Sequence, residues 1–258
     1  MRTIAVMNNK GGVGKTTTVI NLARILANRG HRVVMVDCDG QANLTRFFLP
    51  DKSPEEMTTL SAYLCGLAGD TLELEEIDER IRLLPASDDL YTIDVQCIKE
   101  GPNPFELRAL HDLRVALEED EDADFLLLDC PPGFTAASVA ALMAAGEVVI
   151  PMMMDGFAFD GVWQLQRQIQ NLRFAHYGLR ISGVLITQWH NAEVVTKAEE
   201  LLRQNKSIPV FGTRIRRTDK VPESTFQRTP LPEYSKTSSA AKDYEAFVDE
   251  LLGGVANG

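Results

Sequence analysis

The sequence predicts a doubly wound α/β fold, in which helices flank a mostly parallel β-sheet. Short, continuous apolar runs alternate with segments of helical periodicity, as expected for parallel strands that are covered on both faces. Several of these runs end in aspartate or threonine, and such sheets bind ligands at the carboxyl ends of their strands. A glycine-rich turn joins the first strand to the first helix, which is an arrangement that binds phosphate.

The first strand, turn and helix lie at the beginning of the sequence. The run IAVM at residues 4–7 predicts a buried strand, and apolar residues at helical spacing follow Thr17. The turn between them has the sequence KGGVGKTT over residues 10–17. Glycines allow the backbone to fold around an anion, so that backbone N–H groups and the helix N-terminus converge on phosphate oxygens. Residues 28–30 (NRG) predict the end of the helix.

The turn carries two lysines. Lys15 is expected to neutralise the β- and γ-phosphates of a nucleotide, and the Thr16 hydroxyl to ligate Mg²⁺. Lys10, at the start of the turn, is not needed to hold a nucleotide within one subunit. The nucleotide-binding residues predicted in this turn are Gly11, Gly12, Val13, Gly14, Lys15, Thr16 and Thr17.

The remaining strands are predicted from further apolar runs. They lie at residues 32–39, 83–86, 125–129, 148–151, 183–187 and 208–211. Residues 50–122 otherwise alternate polar and apolar residues in a helical pattern, and the acidic run at 118–122 predicts a solvated turn. Strands that alternate with helices in this way predict the parallel sheet described above.

Acidic residues follow two of these strands. Asp129 ends the run FLLLD and precedes a Cys-Pro-Pro-Gly loop, where a carboxylate would hold a Mg²⁺-bound water. Asp37 and Asp39 end the second strand. Because residues two apart on a strand point to the same side, both carboxylates are expected to face the nucleotide.

Composition limits the class of protein. The 258 residues, 45% of them hydrophobic, predict a single domain over residues 1–258. No apolar stretch approaches the roughly 20 residues of a membrane span, and the N-terminus has no signal-peptide pattern. The phosphate-binding turn begins at residue 10, so no helix-turn-helix extension is expected before it. The four cysteines are widely spaced and form no CxxC motif, so the sequence supports neither a zinc site nor a disulfide scaffold.

The charge of the chain is unevenly distributed. The net charge is −11, which by itself argues against a protein that coats nucleic acid. The segment from Arg203 to Lys242, however, contains nine basic residues and only three acidic ones. A basic segment on an otherwise acidic body is the charge pattern expected of a local nucleic-acid contact.

Together these motifs resemble the ParA/MinD family of P-loop NTPases, whose phosphate-binding turn is the deviant Walker A box. The resemblance extends from residue 4 to about residue 252 and is closest to ParA/Soj-type partition ATPases without an N-terminal DNA-binding extension. It implies a Mg²⁺-dependent ATPase that forms a sandwich dimer when ATP is bound. Lys10 matches the family's signature lysine, which crosses the dimer interface to the partner's nucleotide. Lys10, Lys15 and Asp39 are the catalytic residues that it implies.

The resemblance also assigns roles to the acids. Residues 37–45 (DCDGQANLT) resemble the family's first switch, usually Asp-x-Asp-Pro-Gln-x-Asn. Asp39 is expected to orient or activate the attacking water, and Asp37 to support the Mg²⁺ site. The expected metal set is Thr16, Asp37, Asp39 and Asp129. Gly40 stands where the family usually has proline, and this difference predicts a looser loop.

The basic segment includes a loop that resembles one near the adenine in relatives. Residues 213–223 match its pattern, with Arg216 in place of the usual proline, and Arg216 is expected to contribute to nucleotide binding. In relatives the basic residues of this loop help to bind DNA phosphates. The DNA-binding residues predicted here are Arg214, Arg216, Arg217, Lys220, Lys236 and Lys242.

The function implied is a cytoplasmic ATPase that partitions plasmid or chromosomal DNA. Its expected partners are a second copy of the chain, non-specific DNA and a ParB-like activator, and it is expected on the nucleoid when ATP is bound. One alternative is a MinD-like, membrane-associated positioning ATPase, and another is positioning of a protein cargo. The C-terminal apolar stripe, which includes Tyr244, Phe247 and Leu251, is flanked by acids. It therefore predicts core packing and not membrane binding.

Overall fold

The computed structural model describes residues 1–67, 72–101, 103–156, 158–173 and 176–253. In these residues eight strands form one sheet, in the order β3-β4-β2-β5-β1-β6-β7-β8. All neighbouring strands run parallel except β3 and β4, so the predicted fold class is confirmed. The strands are β1 (Arg2–Val6), β2 (Val33–Asp37), β3 (Glu75–Asp78), β4 (Ile81–Leu84), β5 (Phe125–Asp129), β6 (Glu147–Met153), β7 (Arg180–Trp189) and β8 (Val210–Arg216).

Helices cover both faces of the sheet. They are α1 (Lys15–Asn28), α2 (Asn43–Phe48), α3 (Leu60–Leu64), α4 (Leu90–Glu100), α5 (Pro104–Glu119), α6 (Ala136–Ala144), α7 (Ala158–Leu172), α8 (Glu193–Gln204), α9 (Lys220–Phe226), α10 (Leu231–Tyr234) and α11 (Ser239–Leu252). A short 3₁₀ helix spans Pro54–Glu56. Within the described ranges, no helix is both long and apolar enough to cross a bilayer.

Two hydrophobic cores lie on opposite faces of the sheet. Side chains alternate along each strand, so that Ile4 and Val6 of β1 face one core while Ala5 and Met7 face the other. The first core is completed by α1, α2, α10 and α11, and the second by α3 to α8. The central strands are buried on both sides, which explains their continuous apolar runs.

The edge strands differ most from the prediction. β8 covers residues 210–216 and not 208–211, and it includes part of the segment that was expected to form a basic loop. β3 was not predicted, because its sequence EEID has no apolar run and it pairs only with β4. An edge strand has one open side, and charged residues there are common. Positions 68–71 and 102, inside the predicted helical stretch, lie outside the described residues.

Helix α11 packs its apolar stripe into the first core. Tyr244, Phe247, Val248 and Leu251 are at most 3% exposed, which confirms the prediction of core packing. Phe247 meets the ring of Phe211 on β8 edge to face, with the ring centroids 5.0 Å apart. The C-terminal helix thus holds the edge strand that borders the functional cleft described below.

Phe247→Ala is expected to lower the free energy of unfolding by about 3–5 kcal/mol, because it leaves a cavity in a fully buried site. Urea denaturation of the two proteins measures the difference. Phe226→Ala is the matched control, since Phe226 is 85% exposed, and it should change stability by less than about 0.5 kcal/mol. Equal effects of the two substitutions would contradict this role for α11.

Candidate functional site

A cleft of about 530 Å³ opens at the carboxyl ends of the central strands. Parallel strands end at the same edge of a sheet, so the loops that follow them converge there. The cleft is lined by the turn between β1 and α1, the loop after β2, Pro132 after β5, the end of β7, and the segment from β8 into α9. Residues far apart in the sequence therefore surround one volume.

The glycine-rich turn forms one wall of the cleft. Gly12 and Gly14 have φ angles of 73° and 88°, a left-handed conformation that favours glycine. Gly14 is the N-cap of α1 and makes no side-chain cap, so the first N–H groups of the helix remain available to an anion. A β-carbon added at Gly11 or Gly12 would meet no other atom within 4 Å, because both glycines face open space. The turn is thus shaped to receive a phosphate.

Lys15 lies inside this turn. Its side chain is buried, and Nζ donates a hydrogen bond to the carbonyl oxygen of Lys10 at 3.1 Å. Burial lowers the pKa of Lys15, while the charges of Asp129 and Asp39 act in the opposite direction. The ammonium group is therefore placed among acids and backbone oxygens at the centre of the turn.

Two residues at the end of β7 hold the turn, and sequence analysis did not identify them. The Thr187 hydroxyl donates to the carbonyl oxygen of Val13 at 2.8 Å, and Gln188 Nε2 donates to that of Gly12 at 2.7 Å. These bonds satisfy two carbonyl groups of the turn and attach it to the end of β7. The only signal in the sequence was a threonine at the end of an apolar strand.

Lys10 is bound outside the cleft. Its ammonium group forms an ion pair with Asp155, which follows β6, and both side chains are about one-third exposed. The backbone N–H of Lys10 donates to Asn8 Oδ1 at 2.9 Å. The two lysines of the turn are thus directed to different places, and Lys10 is not among the residues that line the cleft.

Asp37 is a structural carboxylate. It is fully buried and accepts hydrogen bonds from the backbone N–H of Asp39, the backbone N–H of Thr45 and the Thr45 hydroxyl, at 3.1, 2.9 and 2.8 Å. Of the two acids that were expected to face the nucleotide, Asp39 lines the cleft and Asp37 is not among the residues that line it. The strand ends at Asp37, so the two-residue alternation does not continue to Asp39. Asp37 instead fixes the start of α2, and with it the loop that carries Asp39.

Asp129 lies beside Asp37 across the β2–β5 pair, but its hydrogen bonding differs from that of Asp37. It is buried, and neither carboxylate oxygen has a hydrogen-bond partner of ordinary geometry among the residues that the structure describes. Burial, followed by the charge of Asp37, raises the pKa of Asp129 well above its usual range, and the nearby Thr16 hydroxyl and Lys15 offset this only partly. A buried, unpartnered carboxylate fits a site for a cation or for water bound to one.

The described part of the chain has no group of three or more acidic, histidine or cysteine side chains that could hold a metal ion together. Mg²⁺ does not need such a group, since it usually keeps several waters and binds one or two carboxylates plus substrate phosphates. Asp129 with the Thr16 hydroxyl is therefore compatible with Mg²⁺ and a nucleotide.

Asp39 also lines the cleft. It is 9% exposed, and its Oδ1 accepts the backbone N–H of Gln41 at 2.9 Å. The effect of Gly40 on the looseness of this loop stays a prediction. Gly40 is buried, and the ring of Tyr91 covers it.

The predicted DNA-binding residues divide into two groups. Arg214 stacks on the Trp189 ring at 3.8 Å and pairs with Glu199, Arg216 pairs with Asp243 at 2.6 Å, and Lys220 pairs with Glu223. The other three are exposed, and among the described residues none lies within ion-pair distance of Arg217, Lys236 or Lys242. Arg216 and Arg217 also line the cleft.

Comparison with known proteins identifies the family. A family model described as an AAA domain matches residues 1–179. The chromosome-partitioning ATPase Soj of Thermus thermophilus is 34% identical over 98% of this chain and 96% of that protein. The chromosome partitioning protein ParA of Caulobacter vibrioides is 29% identical over 98% of this chain and 94% of that protein.

A solved structure agrees with these sequence relatives. Cobyrinic acid a,c-diamide synthase from Mycobacterium smegmatis, with a bound ATP analogue and magnesium, superposes with a TM-score of 0.80 at 28% identity. The match covers 98% of this chain and 94% of the synthase. The shared fold and the identity to Soj over nearly the whole length of both proteins show that the chain belongs to the ParA/MinD family of P-loop ATPases.

Proposed function

We propose that this ATPase closes into an ATP-dependent sandwich dimer, binds DNA without sequence preference and partitions plasmid or chromosomal DNA in the cytoplasm. A ParB-like partner would stimulate hydrolysis and release the dimer from the nucleoid. The observation that carries the proposal is the placement of Lys10. It belongs to the phosphate-binding turn, yet its ammonium group pairs with Asp155 outside that turn's own cleft, and both side chains are about one-third exposed.

ATP and Mg²⁺ are the cofactors that fit the cleft. The glycine-rich turn would bind the phosphates with Lys15, while the Thr16 hydroxyl and Asp129 would hold Mg²⁺ or its water. When bound, Mg²⁺ supplies positive charge at the β- and γ-phosphate oxygens. Asp39 lines the cleft and would orient the attacking water, and Asp37 would support this arrangement by holding the loop of Asp39.

The base of the nucleotide would lie at the other end of the cleft. Ile215, Val221 and Pro222 line it there and offer apolar surface. The Arg216 guanidinium is engaged by Asp243 through three contacts of 3.1 Å or less, which raise its pKa. Arg216 would therefore shape the base-binding end by holding β8 against α11, and not by contacting the base with a free cation.

Lys10 would act on the nucleotide of the partner subunit. Breaking the ion pair with Asp155 costs little, because pairs this exposed contribute about 0–1 kcal/mol. Charge developing on a transferring phosphoryl group is a far stronger attraction for a cation. Closure of two protomers over ATP would therefore draw Lys10 out of its own subunit.

The proposed DNA contact uses the cations that remain available. Arg217 follows Arg216, and Lys242 precedes Asp243, so the Arg216–Asp243 pair brings both to one corner of the molecule. Lys236 lies just before α11. A sandwich dimer would carry two such corners, and doubling the phosphate contacts strengthens non-specific binding while making it sensitive to salt.

Arg217→Ala and Lys242→Ala are each expected to weaken binding to DNA of any sequence and to reduce the salt slope by about one. DNA retention measured with ATP, ADP or no nucleotide across a salt series tests this. Lys52→Ala is the matched control, since Lys52 pairs with Glu75 at the opposite edge of the sheet. Equal retention in all three nucleotide conditions would refute ATP-dependent DNA binding.

Positioning of a protein cargo is the second candidate. Three of the six predicted DNA-binding cations are ion-paired, and the chain as a whole carries a net charge of −11. Both facts reduce the attraction for DNA. ATP-dependent dimerisation without DNA retention at low salt would favour this candidate over DNA partition.

A further inference from the structure

Tyr91 and Gly40 are in direct contact. A β-carbon added at Gly40 would lie 2.9 Å from both Cε2 and Cζ of Tyr91, closer than real β-carbons come to another atom. Gly40 does not have the left-handed backbone conformation that would itself disfavour a side chain. A side chain at position 40 would therefore have to displace the end of the Tyr91 ring, which is 48% exposed. The usual proline of related switches would collide with it.

Helix α4, which carries Tyr91, is anchored to two loops around the cleft. Tyr91 lies in its first turn and covers the loop after β2. One turn later, Asp94 Oδ1 accepts the backbone N–H of Ala136 at 2.8 Å, at the start of α6 and just beyond the loop after β5. α4 thus connects the loop of Asp39 with the loop that follows Asp129.

The segment before α4 is tied to the same switch. The Thr45 hydroxyl, which donates to Asp37, accepts the backbone N–H of Ala86 at 2.9 Å. Ser87 then donates to Asp89 at the N-cap of α4. In residues 37–45, Thr45 is held by its hydrogen bonds to Asp37 and Ala86, and Gly40 lies against the ring of Tyr91.

We propose that Tyr91 is a positioning residue for ATP hydrolysis: its ring rests on Gly40 and holds the adjacent Asp39 in place at the cleft. The inference rests on the proposed role of Asp39. The ring presents its hydroxyl end to Gly40, and the charge of Asp39 contributes, after burial, to the raised pKa of the Tyr91 phenol. Tyr91 touches the loop and is not among the residues that line the cleft, so it acts through Asp39.

A double-mutant cycle tests the contact. Gly40→Ala inserts a methyl group against the ring and should lower kcat on the order of tenfold, because small displacements of a positioned group are costly. Tyr91→Ala removes the support and should lower kcat to a similar extent. In the Tyr91→Ala background, Gly40→Ala should have no further effect, because the space is then open. KM for ATP should change less than twofold, since the phosphate-binding turn is untouched.

Three controls accompany the cycle. Val95→Ala removes a half-exposed side chain one turn along α4, and Gly161→Ala adds a methyl group where no atom lies within 4 Å. Both should hydrolyse ATP at the wild-type rate. Tyr91→Phe keeps the ring and should retain most of the activity. Circular dichroism and thermal melts establish that every variant is folded.

Each outcome decides the question. Independent effects, in which the two losses multiply in the double variant, would overturn the inference, as would unchanged kcat in both single variants. A loss in Tyr91→Phe equal to that in Tyr91→Ala would overturn the ring contact as the cause. Asp39→Ala separates the two levels: if it hydrolyses ATP normally, the proposed role of Asp39 fails. If it is slow and the cycle shows no coupling, only the role of Tyr91 fails.

Discussion

Lys10→Ala is expected to bind ATP with nearly unchanged affinity and to lose both the ATP-dependent dimer and at least about 100-fold of the hydrolysis rate. Affinity should persist because the Lys15 side chain lies within the glycine-rich turn, whereas the Lys10 side chain pairs with Asp155 outside the cleft. The rate should fall because a cation supplied across an interface stabilises the charge of the transferring phosphoryl group. Nucleotide titration, light scattering and single-turnover hydrolysis with Mg²⁺ measure the three quantities.

Asp155→Asn provides the matched control for Lys10→Ala. It breaks the same ion pair but keeps the lysine, so it should retain hydrolysis and shift the monomer–dimer balance toward the dimer. If the effect of Lys10→Ala came only from losing the ion pair, Asp155→Asn would reproduce it. ATP-bound dimers of normal lifetime in Lys10→Ala would disprove the role of Lys10 across the interface.

Asp129→Asn is expected to separate activity from stability. Hydrolysis should fall by at least about 100-fold and its dependence on Mg²⁺ should weaken, since the carboxylate that fits the ion has been replaced. The nucleotide-free protein should nevertheless become more stable, by about 1–2 kcal/mol, because a buried, unpartnered acid becomes a neutral group of equal size. Thermal melts without nucleotide and hydrolysis over a Mg²⁺ series test the two halves.

Asp37→Asn is the control for this prediction, since Asp37 is the register neighbour of Asp129 and equally buried. The Asp37 carboxylate accepts three hydrogen bonds, two of them from backbone N–H groups. An amide cannot accept all three without leaving a buried donor unsatisfied, so Asp37→Asn should destabilise the protein by about 1–3 kcal/mol. Stability changes of the same sign in both variants would contradict the distinction between the two acids.

The sequence predicted the parts of the fold that burial determines. β1, β2, β5 and β6 are central strands, and their continuous apolar runs follow from being covered on both faces. β3 and most of β8 escaped prediction, because an edge strand tolerates charged residues. The glycine-rich turn was predictable from residue order alone, since the strand, the turn and the helix are contiguous.

The parts of the site that depend on side chains from distant segments were not predictable. Thr187 and Gln188 reach the turn from β7, more than 170 positions away in sequence. The ion pair between Lys10 and Asp155 and the contact between Gly40 and Tyr91 also join segments that are distant in sequence. These segments meet at one edge of the sheet. Asp37 and Asp39 lie in different environments because β2 ends at Asp37, two residues before the predicted end of this strand. Spacing rules apply within an element and fail at its boundary.

The hydrogen bond from Lys15 Nζ to the Lys10 carbonyl oxygen links the lysine proposed to bind phosphate with the lysine proposed to reach the partner subunit. An anion that draws the Lys15 amine toward itself removes one of the restraints on the backbone of Lys10. A loaded protomer would thereby be freed to reach its neighbour, while an empty one would be held back. Loaded chains should then pair with loaded chains and leave empty ones single, a sorting that two-colour mixtures at limiting ATP would reveal.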